Sequence, residues 1–344
     1  MTGIEQIYRT SDVVGSSLGV IINTLVLYII KQTFSKKIAA YSRMLVGSTT
    51  YSILYGLVEF TTQHELFMND GILFCVPKGF EKYLGRTFLP LFLFPHVTLS
   101  CFGLYILPCN YHYEYSLLSD PTSVSRNTLL RNIAVSLIGA ILPGILSLFA
   151  AKAAGARPEK YYKDMLSPEW LTEGESTYMV PMDARDIETQ VYFGTVGALS
   201  TCFFFAALYY VWKIRRFFHQ NQKKSTKTKS LQDQFTRVVI TQGINTFFFA
   251  FIPLSVISLG TLVYVPLEMM GLLVMIPLSW LPVANGLYSL LAIRKYREYF
   301  LRMLGKKKIN AGHRMVSTVT ENTMGTSNTM ATEEEEEKSH GQSH

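Results

Sequence analysis

Seven long apolar segments follow one another along most of the chain, separated by shorter polar stretches. A helix needs about 20 apolar residues to cross roughly 30 Å of hydrocarbon, and each segment is about that long. Lipid offers backbone groups no hydrogen-bond partners, and the apolar residues do not alternate as in a barrel strand, so the segments are predicted to be transmembrane helices. The predicted spans cover residues 11–30, 39–62, 87–109, 132–151, 190–212, 238–264 and 271–293.

The pattern therefore predicts an all-α membrane protein with a seven-transmembrane helix bundle as its main domain. Residues 1–10 form a short N-terminus, 11–304 the membrane domain, and 305–344 a disordered tail rich in Ser, Thr and Glu. In residues 294–304 a helix would place Tyr296 and Tyr299 on one face and the basic residues towards the other. This predicts an amphipathic helix 8 on the inner leaflet.

Lysines and arginines are unevenly distributed among the loops, and this sets the predicted orientation. They are concentrated after spans one, three, five and seven, and cytoplasmic loops carry such an excess. The N-terminus is therefore predicted to be extracellular and the tail cytoplasmic. The densest group lies between spans five and six: Lys213, Arg215, Arg216, Lys223, Lys224, Lys227, Lys229 and Arg237.

The longest outside segment is the acidic loop of residues 152–188 between spans four and five. Pro158, Pro168 and Pro181 argue against one long helix there. Such a loop either caps the entrance of a ligand site or is a solvated connector, and the sequence leaves both interpretations open.

Composition excludes several classes of function. Charged residues make up 17% of the chain, below the roughly 25% of a soluble domain. The net charge of +7 comes from loop residues that are not interleaved with stacking aromatics, which argues against nucleic-acid binding. The four cysteines fit no metal or redox spacing, so neither a metal nor another cofactor is predicted.

Residues 15–19, with the sequence GSSLG, match the G-x-S-x-G pattern of serine hydrolases. That motif requires a strand-to-helix elbow, whereas these residues lie in a predicted membrane helix. The same two glycines have the spacing of a close contact between membrane helices. No catalytic constellation is recognised, and the chain is predicted not to be an enzyme.

Polar, aromatic and proline residues in the spans give candidates for ligand contact. His96 lies near the middle of span three, where it could meet a ligand or simply satisfy an interhelical hydrogen bond. Glu59 could contact ligand or reach the interface, and Pro253 should kink span six. The ligand-pocket candidates are Glu59, His96, Pro253 and Trp280.

A second group of polar residues lies deep in spans one, six and seven. An amide or hydroxyl in hydrocarbon needs a partner, so these side chains should face the bundle interior. A hydrogen-bonded network there is either static or has two arrangements and acts as a switch. The switch-network candidates are Asn23, Gln242, Asn245, Asn285 and Tyr288.

Several short segments resemble the nematode serpentine chemoreceptors of the Str superfamily, with the Srd branch preferred. They are residues 23–30 (NTLVLYII), 38–45 (IAAYSRML), 232–235 (QDQF) with Gln242 and Pro253, 281–286 (LPVANG) and 293–297 (IRKYR). Two positions depart from the family pattern. Residues 109–115 (CNYHYEY) hold no Arg-Tyr pair, and Asn285-Gly286 stand where Asp-Pro is usual.

The resemblance implies a G-protein-coupled receptor that binds a small environmental or pheromone-like molecule, as in olfaction, and signals through a heterotrimeric G protein. The G-protein-facing candidates are Tyr111, His112, Arg215, Arg216 and Arg237. The Ser/Thr-rich tail suggests arrestin as a further partner, and helix 8 suggests membrane lipids. The expected location is the plasma membrane, in the sensory neuron cilium if the resemblance holds. The alternative function is a small seven-span solute transporter, although no repeat relates the two halves.

Overall fold

The computed structural model describes residues 3–34, 39–83, 88–119, 125–165, 179–220, 226–266 and 270–305. The chain divides into two compact units, Met1–Tyr299 and Phe300–His344. In the second unit, Gly305 adopts the left-handed φ of +71° and its N–H donates to Arg302, which ends the last helix. The rest of the predicted tail lies outside the described residues.

The first unit is a bundle of long helices with a small β-sheet at one end. Its long helices are α1 (Gly3–Gln32), α2 (Ala39–Thr62), α3 (Leu89–Ser119), α4 (Arg126–Ala154), α6 (Ile187–Gln220), α7 (Thr226–Thr246), α8 (Ile252–Leu262) and α9 (Met270–Ala292). The short α5 (Glu159–Lys163) follows α4, and α10 (Arg294–Met303) follows α9.

Among the described residues, six helical segments are long and apolar enough to cross a membrane. They are α1, α3, α4, α6, the α7–α8 segment and α9. The seventh span is α2, whose 24 residues rise about 36 Å and pack between α1 and α3. Its many hydroxyl side chains and Glu59 lower its hydropathy, and most of them face the bundle interior.

Several helices continue beyond the predicted spans. Helix α1 begins at Gly3, so most of the predicted ten-residue N-terminus is helical, and α3 continues to Ser119. An apolar segment marks only the part of a helix that lies in hydrocarbon. Once outside, the helix satisfies its own backbone groups and can continue with polar residues.

Span six consists of two helices joined by a π-helical turn. The turn covers Phe247–Phe251 between α7 and α8, and Ile252 N–H bonds the carbonyl of Phe247. Pro253 follows in the first turn of α8, where its missing N–H removes one helical hydrogen bond. A wide turn next to a proline is a recognised cause of a kink, so the predicted irregularity of span six has a definite position.

Three strands form a sheet with the order β1-β2-β3 at the end of the bundle where α1 begins. We call this end, predicted to be extracellular, the outer end. β1 (His64–Asn69) and β2 (Ile72–Pro77) form a hairpin, and β3 (Val180–Asp183) pairs antiparallel with β2. The hairpin turn is Asp70-Gly71, both with positive φ, as a two-residue turn of this kind requires.

The sheet accounts for part of the long loop between α4 and α6. β3 is buried throughout and contributes Met182 to the wall of an internal cavity. This part of the loop therefore caps the bundle and is not a solvated connector. Residues 166–178 lie outside the described part of the chain.

Small residues bring α1 against α9. A Cβ added at Gly15 would lie 3.1 Å from the Ser279 carbonyl oxygen, and one at Gly19 would lie 2.9 Å from Pro282 Cβ. The two glycines of the GSSLG segment thus permit close packing of membrane helices. On α10 the side chain of Tyr296 is buried, whereas Arg294 and Arg297 are exposed.

Candidate functional site

A cavity lies in the outer half of the bundle, directly below the sheet. Helices α3, α6, α8 and α9 form its sides, and all three strands contribute to its roof. Most of the wall is hydrocarbon, from Leu66, Leu73, Leu93, Val97, Met182, Val196, Leu254, Ile257, Met275 and Leu278.

Two histidines interrupt this apolar wall. His64 begins β1 and His96 lies on α3, and their rings meet edge to face with centroids 4.6 Å apart. Each faces a carboxyl group. His64 Nε2 lies 2.5 Å from Oε1 of Glu81, and His96 Nδ1 lies 3.8 Å from Oε1 of Glu59. We call these four side chains the histidine cluster.

Burial decides the charge state of His64 and Glu81, the outer pair of the cluster. Both residues lie in the roof, outside the membrane spans. Burial lowers the pKa of His64 to about 3 and raises the pKa of Glu81 to about 8. Near pH 7 the imidazole is therefore neutral and the carboxyl group keeps its proton, because charged forms lose too much hydration there. The pair is then a close contact between two uncharged groups, Nε2 of the His64 imidazole and Oε1 of the Glu81 carboxyl group.

Ion pairs fasten the roof to the helices. Arg157, which follows α4, donates to both carboxylate oxygens of Asp186 at 2.7 and 2.5 Å and lies 3.1 Å from Asp183. Arg185 lies 3.3 Å from Asp183 and 2.6 Å from Asp70 at the hairpin turn. Asp183 is fully buried, so the two arginines hold β3 against both α4 and the hairpin.

The four predicted ligand-pocket residues lie in different places. His96 lines the cavity, and Glu59 stands behind it on α2. Pro253 is buried at the start of α8, and its neighbour Leu254 lines the cavity. Trp280 instead borders an open groove beside the first turns of α1, and its Nε1 donates to Ser11 Oγ at 2.9 Å.

Four of the five switch-network candidates form hydrogen bonds in or between α1, α7 and α9. Asn245 Nδ2 donates to Asn285 Oδ1 at 3.1 Å, and Gln242 Nε2 donates to Ser289 Oγ at 3.1 Å. Asn23 Nδ2 donates to the carbonyls of Gly19 and Pro282 at 2.8 and 2.9 Å. The fifth candidate, Tyr288, is half-buried and makes no side-chain hydrogen bond to a described residue of this group.

The five candidates for the G-protein side differ in exposure. Arg215, Arg216 and Arg237 are exposed. Tyr111 is buried and its hydroxyl donates to the carbonyl of Val239 on α7 at 3.2 Å. His112 Nδ1 lies 3.3 Å from Asn132 Nδ2 of α4. Tyr111 and His112 therefore join helices, whereas the three arginines are accessible.

Sequence reasoning missed two site residues. Glu114 on α3 is fully buried and accepts a 2.6 Å hydrogen bond from the hydroxyl of Thr236 on α7. His64 was assigned to no span and no strand. A carboxyl group at the end of an apolar segment was the available signal for Glu114. The available signal for His64 was the Asp-Gly turn between two apolar segments, which is typical of a β-hairpin.

The family match decides the class of protein. A model of the family described as "Serpentine type 7TM GPCR chemoreceptor Str" matches residues 9–301. This chain belongs to the Str family of serpentine chemoreceptors. The Str protein is thus a G-protein-coupled chemosensory receptor and a multi-pass membrane protein, with a small-molecule ligand and a G protein as partners. Its family is one of receptors, which decides against both an enzyme and the solute transporter.

The Str receptor also shares its fold with a solved structure. The crystal structure of squid rhodopsin aligns with a TM-score of 0.60 over 89% of this chain and 84% of that chain, at 11% sequence identity. Identity this low shows the fold alone. No individual curated protein sequence is significantly similar to the chain.

Proposed function

We propose that the Str receptor binds its ligand in the cavity below the sheet. The single observation that carries this proposal is a mostly apolar cavity in the outer half of the bundle, with His64 and His96 on its wall. A binding site needs such an apolar volume with a few polar groups that orient the ligand. The four helices around the cavity include α8, whose neighbouring π-turn and Pro253 make span six deformable.

Ligand binding is proposed to act on the polar contacts at the inner end. The pairs Asn245–Asn285 and Glu114–Thr236 connect α7 to α9 and to α3. If α7 moves relative to its neighbours, these bonds break, because they depend on side chains of two separate helices. The cleft so formed would bring the accessible Arg215, Arg216 and Arg237 to the G protein.

The more specific assignments are also proposals. The sequence patterns support the Srd-like branch, and the Ser/Thr-rich tail supports an arrestin partner once it is phosphorylated. Basic residues on α10 support contact with anionic lipids. The plasma membrane of a sensory neuron cilium is the proposed location, with the acidic loop outside. An epitope inserted near Glu173 should be accessible on intact cells, and a C-terminal one should be protected.

A ligand screen with a G-protein readout in heterologous cells tests the proposed function. An active compound should fail on Val196→Phe, since Val196 is buried and lines the cavity. Leu208→Phe is the matched control, because Leu208 lies on the same helix but is 47% exposed. Unchanged potency on Val196→Phe, with normal surface expression, would place the ligand elsewhere.

A further inference from the structure

A basic site lies at the inner end of the bundle, where α3, α4 and α6 meet. Lys213 on α6 extends between two tyrosine rings, with Nζ 5.0 Å from the ring centroid of Tyr115 on α3 and 4.9 Å from that of Tyr209 on α6. An aromatic face attracts a cation within about 6 Å of its centroid. The two rings therefore hold the ammonium group in place, although the lysine is only half-buried.

Arg131 on α4 lies close to the same place, across the His112 ring of α3. Nδ1 of His112 is 3.3 Å from Asn132 Nδ2 on α4, and the ring centroid is 5.3 Å from that of Tyr210 on α6. Arg131 precedes Asn132, and the charges of Arg131 and Lys213 both act on this imidazole. Two cations from different helices thus converge beside one ring.

The two cations lack an acidic partner in the described part of the chain. Neither Lys213 nor Arg131 forms an ion pair with a carboxylate there. The adjacent carboxyl group on α3, that of Glu114, is fully buried and accepts its hydrogen bond from Thr236 on α7. An anion can therefore approach both cations without displacing a counter-ion.

The surface of α6 next to this site is apolar and exposed. Four large side chains, each 47–63% exposed, share one face of the helix at the spacing i, i+3, i+4 and i+7: Phe205, Leu208, Tyr209 and Trp212. Towards the end of the helix, the guanidinium carbon of Arg216 lies 5.3 Å from the Trp212 ring centroid. Tyrosine and tryptophan are enriched where hydrocarbon meets lipid headgroups. The cations therefore lie at the level of the headgroups, with a hydrocarbon surface directly above them.

We propose that this junction binds an anionic phospholipid of the inner leaflet. The lipid phosphate lies between Lys213 and Arg131, and its acyl chains lie along the exposed face of α6. The cytoplasmic leaflet is rich in anionic lipids, and basic pockets between membrane helices on that side recognise their headgroups. None of the described residues that form this site lines the ligand cavity, so the proposal goes beyond the proposed function and does not depend on it.

Native mass spectrometry of the full-length receptor, released from detergent micelles, counts bound lipids and gives their dissociation constants. The probes are dioleoylphosphatidylglycerol, dioleoylphosphatidylcholine with the same acyl chains, and glycerol 3-phosphate, which has no acyl chain. The first phosphatidylglycerol should bind about five- to tenfold more tightly than phosphatidylcholine, whose headgroup has no net charge. Glycerol 3-phosphate should not be retained, because it cannot use the apolar face of α6.

Single variants locate the phosphate. Lys213→Met and Arg131→Met should each weaken the tightest phosphatidylglycerol binding about fivefold, because each removes one basic residue near the membrane surface. Arg215→Met is the matched control, since Arg215 is exposed on the same helix but lies about 200° around it from Lys213. The tightest binding should be unchanged in this variant.

Tyr115→Leu separates a built site from general electrostatic attraction. The change leaves every charge in place and removes the α3 ring that holds the Lys213 ammonium group. It should weaken phosphatidylglycerol binding about two- to fivefold, as expected for loss of a cation–π contact. The thermal unfolding of each variant shows whether it is folded, and the exposed Arg131→Met carries the test if Tyr115→Leu is not.

The proposal is overturned if phosphatidylglycerol binds no more tightly than phosphatidylcholine. It is also overturned if Arg215→Met weakens binding as much as Lys213→Met and Arg131→Met do, because the attraction would then be spread over the whole basic surface. Binding of glycerol 3-phosphate as tight as that of phosphatidylglycerol would assign the site to a soluble phosphate and would rule out the lipid.

Discussion

The hydroxyl of Thr236 on α7 donates a 2.6 Å hydrogen bond to Oε1 of Glu114 on α3. Oε2 of the same carboxyl group is buried and has no hydrogen-bond partner among the described residues. Thr236 is therefore a principal polar contact of Glu114. Arg237, one of the accessible cations proposed to face the G protein, is the next residue on α7.

Thr236→Val should raise basal signalling. The change keeps the shape of the side chain but removes the donor, so the packed arrangement of α3 and α7 loses about 1 kcal/mol. The active population should then rise roughly three- to tenfold if the bond exists only in the resting state. Second-messenger level without ligand is the measurement. The control is Thr241→Val, because Thr241 is on the same helix and makes no side-chain hydrogen bond to a described residue.

Asn285→Leu removes the acceptor of the 3.1 Å bond from Asn245. Interhelical bonds of this kind contribute about 0.6–2 kcal/mol in membranes. Basal or maximal signalling should thus change about three- to thirtyfold, with little change in ligand affinity measured without coupling. Leu287→Ile should be nearly silent, since Leu287 is 41% exposed and has no polar group. Normal trafficking with unchanged basal and maximal signals would make the contact purely structural.

The buried His64–Glu81 pair in the roof predicts a pH dependence of the thermal stability. Burial raises the Glu81 pKa from 4.5 to about 8, so its contribution is complete below pH 4.5 and is lost as the pH rises through 8. Burial lowers the His64 pKa from 6.5 to about 3, so its contribution is present above pH 6.5 and is lost as the pH falls through 3. Burial also raises the pKa of Glu65 to about 7. Glu65 therefore adds to the loss of stability as the pH rises to about 7.

The carboxyl group of Glu81 in the folded roof titrates mainly between pH 7 and pH 8. It should contribute a loss on the order of 1 kcal/mol of stability across that interval, and Glu81→Gln should make the pH dependence there shallower by that amount. The unfolding temperature measured at each pH in detergent or nanodiscs tests this. Equal slopes for the two proteins would mean that Glu81 is not protonated in the folded roof.

Arg157→Met should loosen the roof. The change keeps an apolar stem but leaves the fully buried Asp183 with Arg185 alone and removes both bonds to Asp186. A loss of about 2–3 kcal/mol is expected, because the Asp183 carboxylate remains buried with one cation fewer beside it. Arg294→Met is the matched control. Its ion pair with Glu298 is an exposed i,i+4 contact, so the unfolding temperature should not change measurably.

The sequence by itself determined the seven spans and part of the inner network. Apolar segments of sufficient length are visible without any partner, because hydrocarbon requires each segment to satisfy its own backbone. The same requirement predicted that Asn245 and Asn285 would find partners within the bundle, and they bond each other. His96 was a candidate for the same reason, since a polar group in a span must face the bundle interior.

Only the tertiary structure decided the roof and the pairs across helices. β3 joins β2 after about a hundred intervening residues, and that pairing places Asp183 between two arginines. His64 on β1 and His96 on α3 likewise meet only when the hairpin folds onto the bundle. Glu114 meets Thr236 in the same way, from two spans separated by two others. Hydropathy reports the transfer of each segment to lipid, a property of the segment alone. The partner of a polar side chain depends on how helices pack, which local sequence does not contain.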